Sequence, residues 1–318
     1  MPSSAKRLPP LLIHVGYHKT GTTWLQRILF RPEYGYRPIM DHEDVFRWFL
    51  RPHGLDFDEA ATRAHITSLR GQGEPGLVDV ISSEILVGNP HFGGRESDAY
   101  ARRLHAAAPD ARILITLREQ LRSATSEYMQ YISRAGTMKP TEYFDDAPIM
   151  GYAKYAPEHL EYHRLIGLYR ELFGAENVIV MTQEALAKDG KAYARRLAEA
   201  AGVTSPGDLE TIDTRPMSPS PEEFAAPILR RINHFRSGPT GPGPFLDLGP
   251  VSAFVYRVAH YLSRRPFAKR MLGRVKPVTA IVHRRFTDRY LESNRQLKAM
   301  LGDRADLASY PSEPAGKA

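Results

Sequence analysis

Leu11-Leu-Ile-His-Val-Gly16-Tyr-His-Lys-Thr-Gly-Thr-Thr-Trp24 is the stretch from which the fold can be read. Leu11 to Val15 is a short apolar run, β-branched at Ile13 and Val15, and it stops at Gly16. Thr22 to Phe30 then reads as a helix, so the order is strand, loop, helix. At such a junction, backbone N–H groups and a helix N-terminus can bind phosphate oxygens. A nucleotide triphosphatase loop carries its lysine directly after the second glycine. Here Thr22 holds that place and Lys19 stands two residues before Gly21. The shift moves the ammonium away from the β- and γ-phosphate slot towards the turn apex, where it suits a nucleotide with one 5′-phosphate bearing a leaving group. An ordinary turn with a chance glycine pair is the alternative, against which Thr22, Thr23 and Trp24 weigh.

Working outward, Leu77 to Ile81, Ile113 to Leu117 and Val178 to Met181 look like the first run. Helical stretches lie between them, clearest at Asp98 to Ala108, Gln120 to Arg134, His159 to Phe173 and Lys191 to Ala201. Alternation of this kind predicts an α/β fold: three layers of P-loop type, with a central parallel sheet flanked by helices. The interval Arg31 to Gly76 holds two expected helices, Asp44 to Leu50 and Asp58 to Arg70, more than a crossover needs; it is a candidate wall for a second substrate. After Gly202 the character changes. Pro219 and Pro221 precede a helix from Glu222 to Phe235, and Ser237 to Pro244 is too rich in Gly and Pro for regular structure. Val251 to Arg264 is amphipathic, with Arg257, Arg264 and Arg265 beside Phe254, Tyr256 and Tyr261. Packing back onto the sheet is its expected role, a membrane surface or partner the less common one. Val278 to Leu301 forms a last helix or helix pair. The expected organisation is therefore a tail over 1–10, a core over 11–236, a Pro/Gly-rich loop over 237–250, a helical C-terminal extension of the same domain over 251–302, and a frayed tail over 303–318.

Composition agrees with a globular enzyme: 318 residues, 42% hydrophobic and 25% charged. Forty-three Lys and Arg against 36 Asp and Glu give a net charge of +7, which favours anionic partners without choosing among them. No zinc-finger, RNA-recognition or basic-zipper pattern is present, so no nucleic-acid partner is expected. With no Cys, disulfides, thiolate metal sites and a cysteine nucleophile are excluded. The twelve histidines show no metal-ligand spacing, and no metal is expected. The N-terminal apolar run is too short for a signal-peptide core, and no stretch reaches membrane-spanning length; a cytoplasmic protein without stable membrane insertion is expected.

A second anion site is legible at Arg112-Ile-Leu-Ile-Thr-Leu-Arg118, a strand ending in arginine, followed by a helix that carries Ser126. Arg118 falls at the carboxyl edge of the sheet, where such folds bind ligands, and Ser126 two turns on can face the same crevice. A structural salt bridge for Arg118 and a plain helical role for Ser126 are the alternatives. Val80-Ile-Ser-Ser-Glu84 ends another strand at the same edge. Glu84 is the candidate general base, with His91 in reserve; a capping or salt-bridging carboxylate is the alternative reading.

In these motifs the chain resembles the PAPS-dependent sulfotransferases, in particular their bacterial members; PAPS is 3′-phosphoadenosine 5′-phosphosulfate. Tyr17-His-Lys-Thr-Gly-Thr-Thr-Trp24 is similar to the family's 5′-phosphosulfate loop, with His18 where many members have Pro. The resemblance implies that Tyr17, His18, Lys19, Thr20, Gly21, Thr22, Thr23 and Trp24 bind the donor. Lys19 would meet the 5′-phosphate and bridging oxygen, Thr20 to Thr23 would cradle the phosphate, and Trp24 would lie near the adenine. Arg118 and Ser126 have the spacing of the 3′-phosphate motif, although Gln120 replaces the usual Pro. Phe173-Gly followed by Val178 to Met181 and Glu184-Ala-Leu186 is similar to another family segment, and Tyr290 to Leu297 to a C-terminal one, whose Asn294 reads as structural. Arg215 would close over the donor, but the usual Arg-Lys-Gly triplet is not evident. A glutamate base is common among members acting on carbohydrates, so Glu84 points to a saccharide or other aliphatic hydroxyl. Phe46, Trp48, Phe49, Tyr128 and Tyr131 are candidates for an aromatic acceptor wall. The function expected is transfer of a sulfuryl group from PAPS to a hydroxyl or amine of a small-molecule or glycan acceptor, with PAP (3′-phosphoadenosine 5′-phosphate) as product and Lys19 as the catalytic cation. A P-loop nucleotide kinase-like enzyme and a non-catalytic anion-binding protein are the competing readings.

Overall fold

The structure is a computed structural model that describes residues 8–73, 76–145, 155–215, 217, 221–239 and 243–314. Five parallel strands form one sheet in the order β2-β3-β1-β4-β5: β1 (Leu11–His14), β2 (Tyr36–Met40), β3 (Val78–Ser82), β4 (Arg112–Leu117) and β5 (Val178–Thr182). Chain connections leave β1 and β4 in opposite directions, so a crevice opens between their carboxyl ends. The loops carrying Lys19 and Arg118 meet there.

Four of the five strands fall where apolar runs predict them. β2 does not, and it lies inside the Arg31 to Gly76 interval, ahead of the two helices expected there. Its sequence, Tyr-Arg-Pro-Ile-Met, is buried only at its two ends and contains the exposed Pro38, which cannot donate to a ladder. β2 is an edge strand, paired on one side only, and its register with β3 shifts between Pro38 and Met40. The edge position tolerates the proline that hides the strand in the sequence.

The helices are α1 (Thr22–Trp24, continuing as a π-helix over Leu25–Leu29), α2 (His42–Val45, continuing as a π-helix over Phe46–Leu50), α3 (Glu59–Gly71), α4 (Ser97–Ala107), α5 (Gln120–Ser133), α6 (Pro140–Tyr143) and α7 (Tyr162–Phe173). They continue with α8 (Gln183–Lys188), α9 (Gly190–Ala201), α10 (Ala226–Asn233), α11 (Pro250–Ser263), α12 (Pro266–Leu272), α13 (Pro277–Phe286) and α14 (Leu291–Leu301). Alternate strand residues face two separate cores. Ile13, Ile81, Ile113 and Ile115 pack with α3, α4, α5, α7, α13 and α14. Leu12, Val80, Leu114 and Met181 pack with Trp24, Leu25 and Leu29 of the first helix and with Tyr193 and Leu197 of α9. Helices thus cover both faces, as the strand-helix alternation predicts.

Two C-terminal expectations are corrected. α11 packs on α10 rather than on the sheet. The segment after Gly302 is docked, not frayed: Ala305, Leu307 and Tyr310 join the larger core, and the fully buried Tyr310 donates its hydroxyl to Glu184 Oε2 at 3.2 Å. Asn294, 1% exposed, donates to the Pro311 carbonyl at 2.8 Å and exchanges amide hydrogen bonds with Gln120, the residue standing where the family pattern has Pro. Pro219 and parts of the 1–10, 237–250 and 303–318 segments lie outside the described residues. Tyr310→Ala is expected to lower unfolding free energy by about 3–5 kcal/mol, the range for truncating a buried aromatic, and Tyr310→Phe by about 1 kcal/mol. Urea midpoints measure both, and a wild-type midpoint for Tyr310→Ala would return the tail to solvent.

Candidate functional site

The phosphate-type loop rests on a chain of hydrogen bonds whose direction is determined throughout. Thr20 Oγ1 donates to the Tyr17 carbonyl at 2.6 Å, which commits its one proton. Thr116 Oγ1, 2.7 Å away, must therefore donate to Thr20 and accept from His14 Nε2 at 3.0 Å. His14 Nδ1 is left to accept from Ser82 Oγ at 2.8 Å, and Ser82 accepts from Gln26 Nε2 at 3.2 Å. Burial holds His14 neutral by lowering its pKa to about 3. Gly16 is required above this network, because a Cβ there would stand 1.9 Å from Thr116 Oγ1 and 2.3 Å from His14 Nε2. Gly21 caps α1 in the left-handed region at φ 98, with Leu186 of α8 packed against it.

Above the loop lies a cleft of about 450 Å³. Its walls bring together His18, Lys19, Gly21, Thr22, Thr23 and Trp24 from the loop and α1, Glu84 after β3, Arg118 after β4, Ser126 on α5, and Arg215. Lys19 sits at φ 64, a left-handed conformation that costs a non-glycine residue about 1–2 kcal/mol and so has to be held by its surroundings. Desolvation lowers its pKa, and so do the neighbouring Arg118 and Arg134. Arg118 Nη1 donates to Ser126 Oγ at 2.6 Å, so these two residues act as one unit. Arg215 is exposed at the rim and forked onto Asp213, with contacts of 2.6 to 3.0 Å. Pro216 and Ser218 of the same motif lie outside the described residues.

Four buried polar atoms of cleft residues lack a hydrogen-bond partner: His18 Nδ1, Thr22 Oγ1, Arg118 Nε and Gln130 Oε1. Orphaned polar atoms in a folded core cost about 1–3 kcal/mol each. All four belong to residues that line this cleft. Thr22 O–H and Arg118 Nε–H are donors that suit anionic oxygens, and Gln130 Oε1 can accept an N–H or O–H. The residues present therefore fit a nucleotide-type anion.

Glu84 also borders a second cavity of about 410 Å³, lined by Gln26, Met40, Asp41, His42, Ser82 and Arg134 among others. Met40, Asp41 and His42 come from β2 and its exit, within the interval read as a second-substrate wall.

Other expected positions are corrected. Tyr17 is 1% exposed and packs on His159 and Tyr162 in the core, away from the cleft. The Thr20 hydroxyl is spent on the network beneath the loop. His91 is 2% exposed, its Nδ1 3.1 Å from the Tyr143 hydroxyl, and it does not line the cleft. The aromatic wall does not form: Phe49, Tyr128 and Tyr131 are core, Trp48 stacks on His65 at 4.3 Å, and Phe46 is exposed. Trp24 lines the cleft, but its indole N–H is fixed on the Asp213 carbonyl at 2.6 Å and its ring meets Tyr193 edge-on. Sequence reading missed Gln130 and Gln183 in the cleft. Both were reachable: Gln130 lies one helical turn beyond Ser126, and Gln183 follows β5 at the same sheet edge as Arg118.

Buried titratable groups around the loop set a pH profile. His14 and His18 are held neutral, the latter with its pKa well below the ordinary 6.5, chiefly by desolvation. The unfolded chain protonates both below about 6.5, so their stability is present above that pH and lost as pH falls below it, for His14 down to about 3. Glu127 of α5 has the opposite sign: burial raises its pKa to about 8, so the stability it contributes is lost as pH rises from 4.5 through 8. Each group contributes a slope of up to about 1.4 kcal/mol per pH unit. Stability measured by urea unfolding is expected to peak near the ordinary histidine range and decline on both sides, with Glu127→Gln abolishing the alkaline decline. A wild-type profile that is flat from neutrality to pH 8 would contradict the assignment.

Residues 96–206 match the model of the sulfotransferase family. Among solved structures the chain is similar to the sulfotransferase of Alicyclobacillus acidocaldarius, with 23% identity over 67% of this chain and 88% of that one, at a TM-score of 0.44. It is also similar to mouse sulfotransferase SULT7A1 complexed with PAP, with 12% identity over 88% and 90% of the two chains, at a TM-score of 0.36. No curated protein matches the chain. The matched family segment contains Arg118 and Ser126 but not the Lys19 loop.

Proposed function

We propose that this sulfotransferase-like chain transfers a sulfuryl group from PAPS to a hydroxyl or amine of an acceptor, with the hydroxyl of a saccharide or another aliphatic alcohol as the expected class. The observation that carries the reading is the convergence of the Lys19 loop and the Arg118–Ser126 pair on one cleft, with Glu84 on the wall shared with a second cavity. When bound, PAPS would supply an activated sulfuryl group. Lys19, Thr22 and Thr23 would hold the 5′-phosphate end and Arg118 with Ser126 the 3′-phosphate.

Within this arrangement Lys19 neutralises the charge that grows on the departing phosphate oxygen, in a desolvated setting where a cation is effective. Glu84 takes the proton of the acceptor as the new O–S or N–S bond forms and the old S–O bond breaks. The second cavity then holds the acceptor, with Asp41, His42 and Arg134 offering hydrogen bonds and charge beside the apolar Met40 and Val80. Such a mixture suits a polyhydroxylated acceptor better than a flat phenol.

Lys19→Ala is expected to lower kcat by about 100- to 1,000-fold, as removal of one preorganised electrostatic group does, and Glu84→Gln by about 100- to 10,000-fold. Arg118→Ala should instead weaken PAP about ten- to a hundredfold, from loss of charged hydrogen bonds of about 1.5–3 kcal/mol. Labelled-donor transfer to a panel of sugars, alcohols, amines and phenols, with PAP titration calorimetry, measures all three. Undiminished turnover in Lys19→Ala removes the catalytic role, and a preference for ATP with magnesium over PAP turns the reading to a nucleotide kinase.

A further inference from the structure

The strongest feature outside the cleft is the segment that contains α11 and α12. Between Asp247 and Asp288 there is no acidic residue, against nine Lys and Arg. α11 buries only a narrow stripe, Ser252, Tyr256 and Ser263. Its opposite face carries a second apolar stripe at helical spacing, Val251, Phe254, Val255, Val258, Tyr261 and Leu262, and all six are exposed. α12 buries no residue, and it presents Phe267 (73% exposed), Met271 and Leu272. Phe245, just before α11, is 91% exposed. Arg257, Arg264, Arg270 and Arg274 are exposed among these apolar groups. Lys269 and Lys276 are instead engaged by Glu222 and Glu223, at 2.8 and 3.8 Å, and tie the segment to the rest of the chain.

We propose that this face seats the protein on the surface of an anionic lipid bilayer. The charge pattern selects the occupant. A second copy of the chain would set the same patch against itself in a two-fold contact, cation facing cation with no carboxylate to offset it. A folded protein partner would need pockets shaped to isolated projecting rings. The headgroup and acyl boundary of a bilayer accepts such rings at a depth of about 5–10 Å without shaped pockets, while its anionic lipids attract the arginines. The 14 residues of α11 extend about 21 Å at 1.5 Å per residue, short of the roughly 30 Å hydrocarbon layer, so the helix lies on the membrane and does not span it. No helix among the described residues is long and apolar enough to cross.

The test is flotation of the full chain with phosphatidylcholine vesicles, plain or doped with phosphatidylglycerol. Tight binding to doped vesicles and weak binding to plain ones is expected, with affinity falling as salt rises. Arg264→Gln with Arg265→Gln should weaken binding about fivefold per charge, and Phe254→Ser with Phe267→Ser about tenfold or more. All four side chains are exposed, and unchanged unfolding midpoints check that the variants remain folded. Equal affinity for both vesicle types, no flotation with either, or a dimer in sedimentation that Phe254→Ser with Phe267→Ser dissociates would each overturn the proposal. Flotation does not depend on donor binding or turnover, so its failure leaves the sulfuryl-transfer reading untouched.

Discussion

The hydrogen-bond relay from Gln26 through Ser82, His14 and Thr116 to Thr20 is the constraint on which the site depends. It ties three parallel strands to the loop above them, since Ser82 ends β3, His14 ends β1 and Thr116 lies in β4. Every hydroxyl in it has one proton and one use for it, so the relay specifies a single arrangement of the loop. The same relay forces Gly16, because no Cβ fits over Thr116 and His14. With the loop fixed from below, Lys19 can be held in a left-handed conformation that a loose turn would abandon.

The parallel sheet and its site strands were legible in the sequence because they are buried on both faces and read as unbroken apolar runs. β2 was not, because an edge strand is half-covered and can contain Pro38. Lys19, Arg118, Ser126 and Glu84 could be placed at one sheet edge from strand ends alone, and the structure puts them around one cleft. Tyr17, Thr20 and His91 belong to the same motifs, yet their side chains turn inward; strand and loop position does not say which way a loop side chain faces. The aromatic wall failed for a related reason, since large rings near a site are first of all core, and here Tyr128, Tyr131 and Phe49 fill it.

The tail after Gly302 shows the limit of composition as a guide. Its composition reads as frayed, but Ala305, Leu307 and Tyr310 pack into the core and Asn294 holds the Pro311 carbonyl. Glu184 accepts from the Glu119 amide at 3.0 Å as well as from Tyr310. The turn that delivers Arg118 is thereby braced by the far end of the chain, a long-range coupling that no local pattern announces.

Glu84 stands in the partition between two chambers whose remaining walls come from different parts of the fold. One side is lined by the Lys19 loop, α1, Arg118 and Ser126. The other draws on β2 and its exit, through Pro38, Met40, Asp41 and His42, and on Gln26 and Ser82 of the relay. A change at the exit of β2 can therefore reshape the second cavity from the rim of the sheet, whereas a change at Gln26 or Ser82 reaches the loop as well.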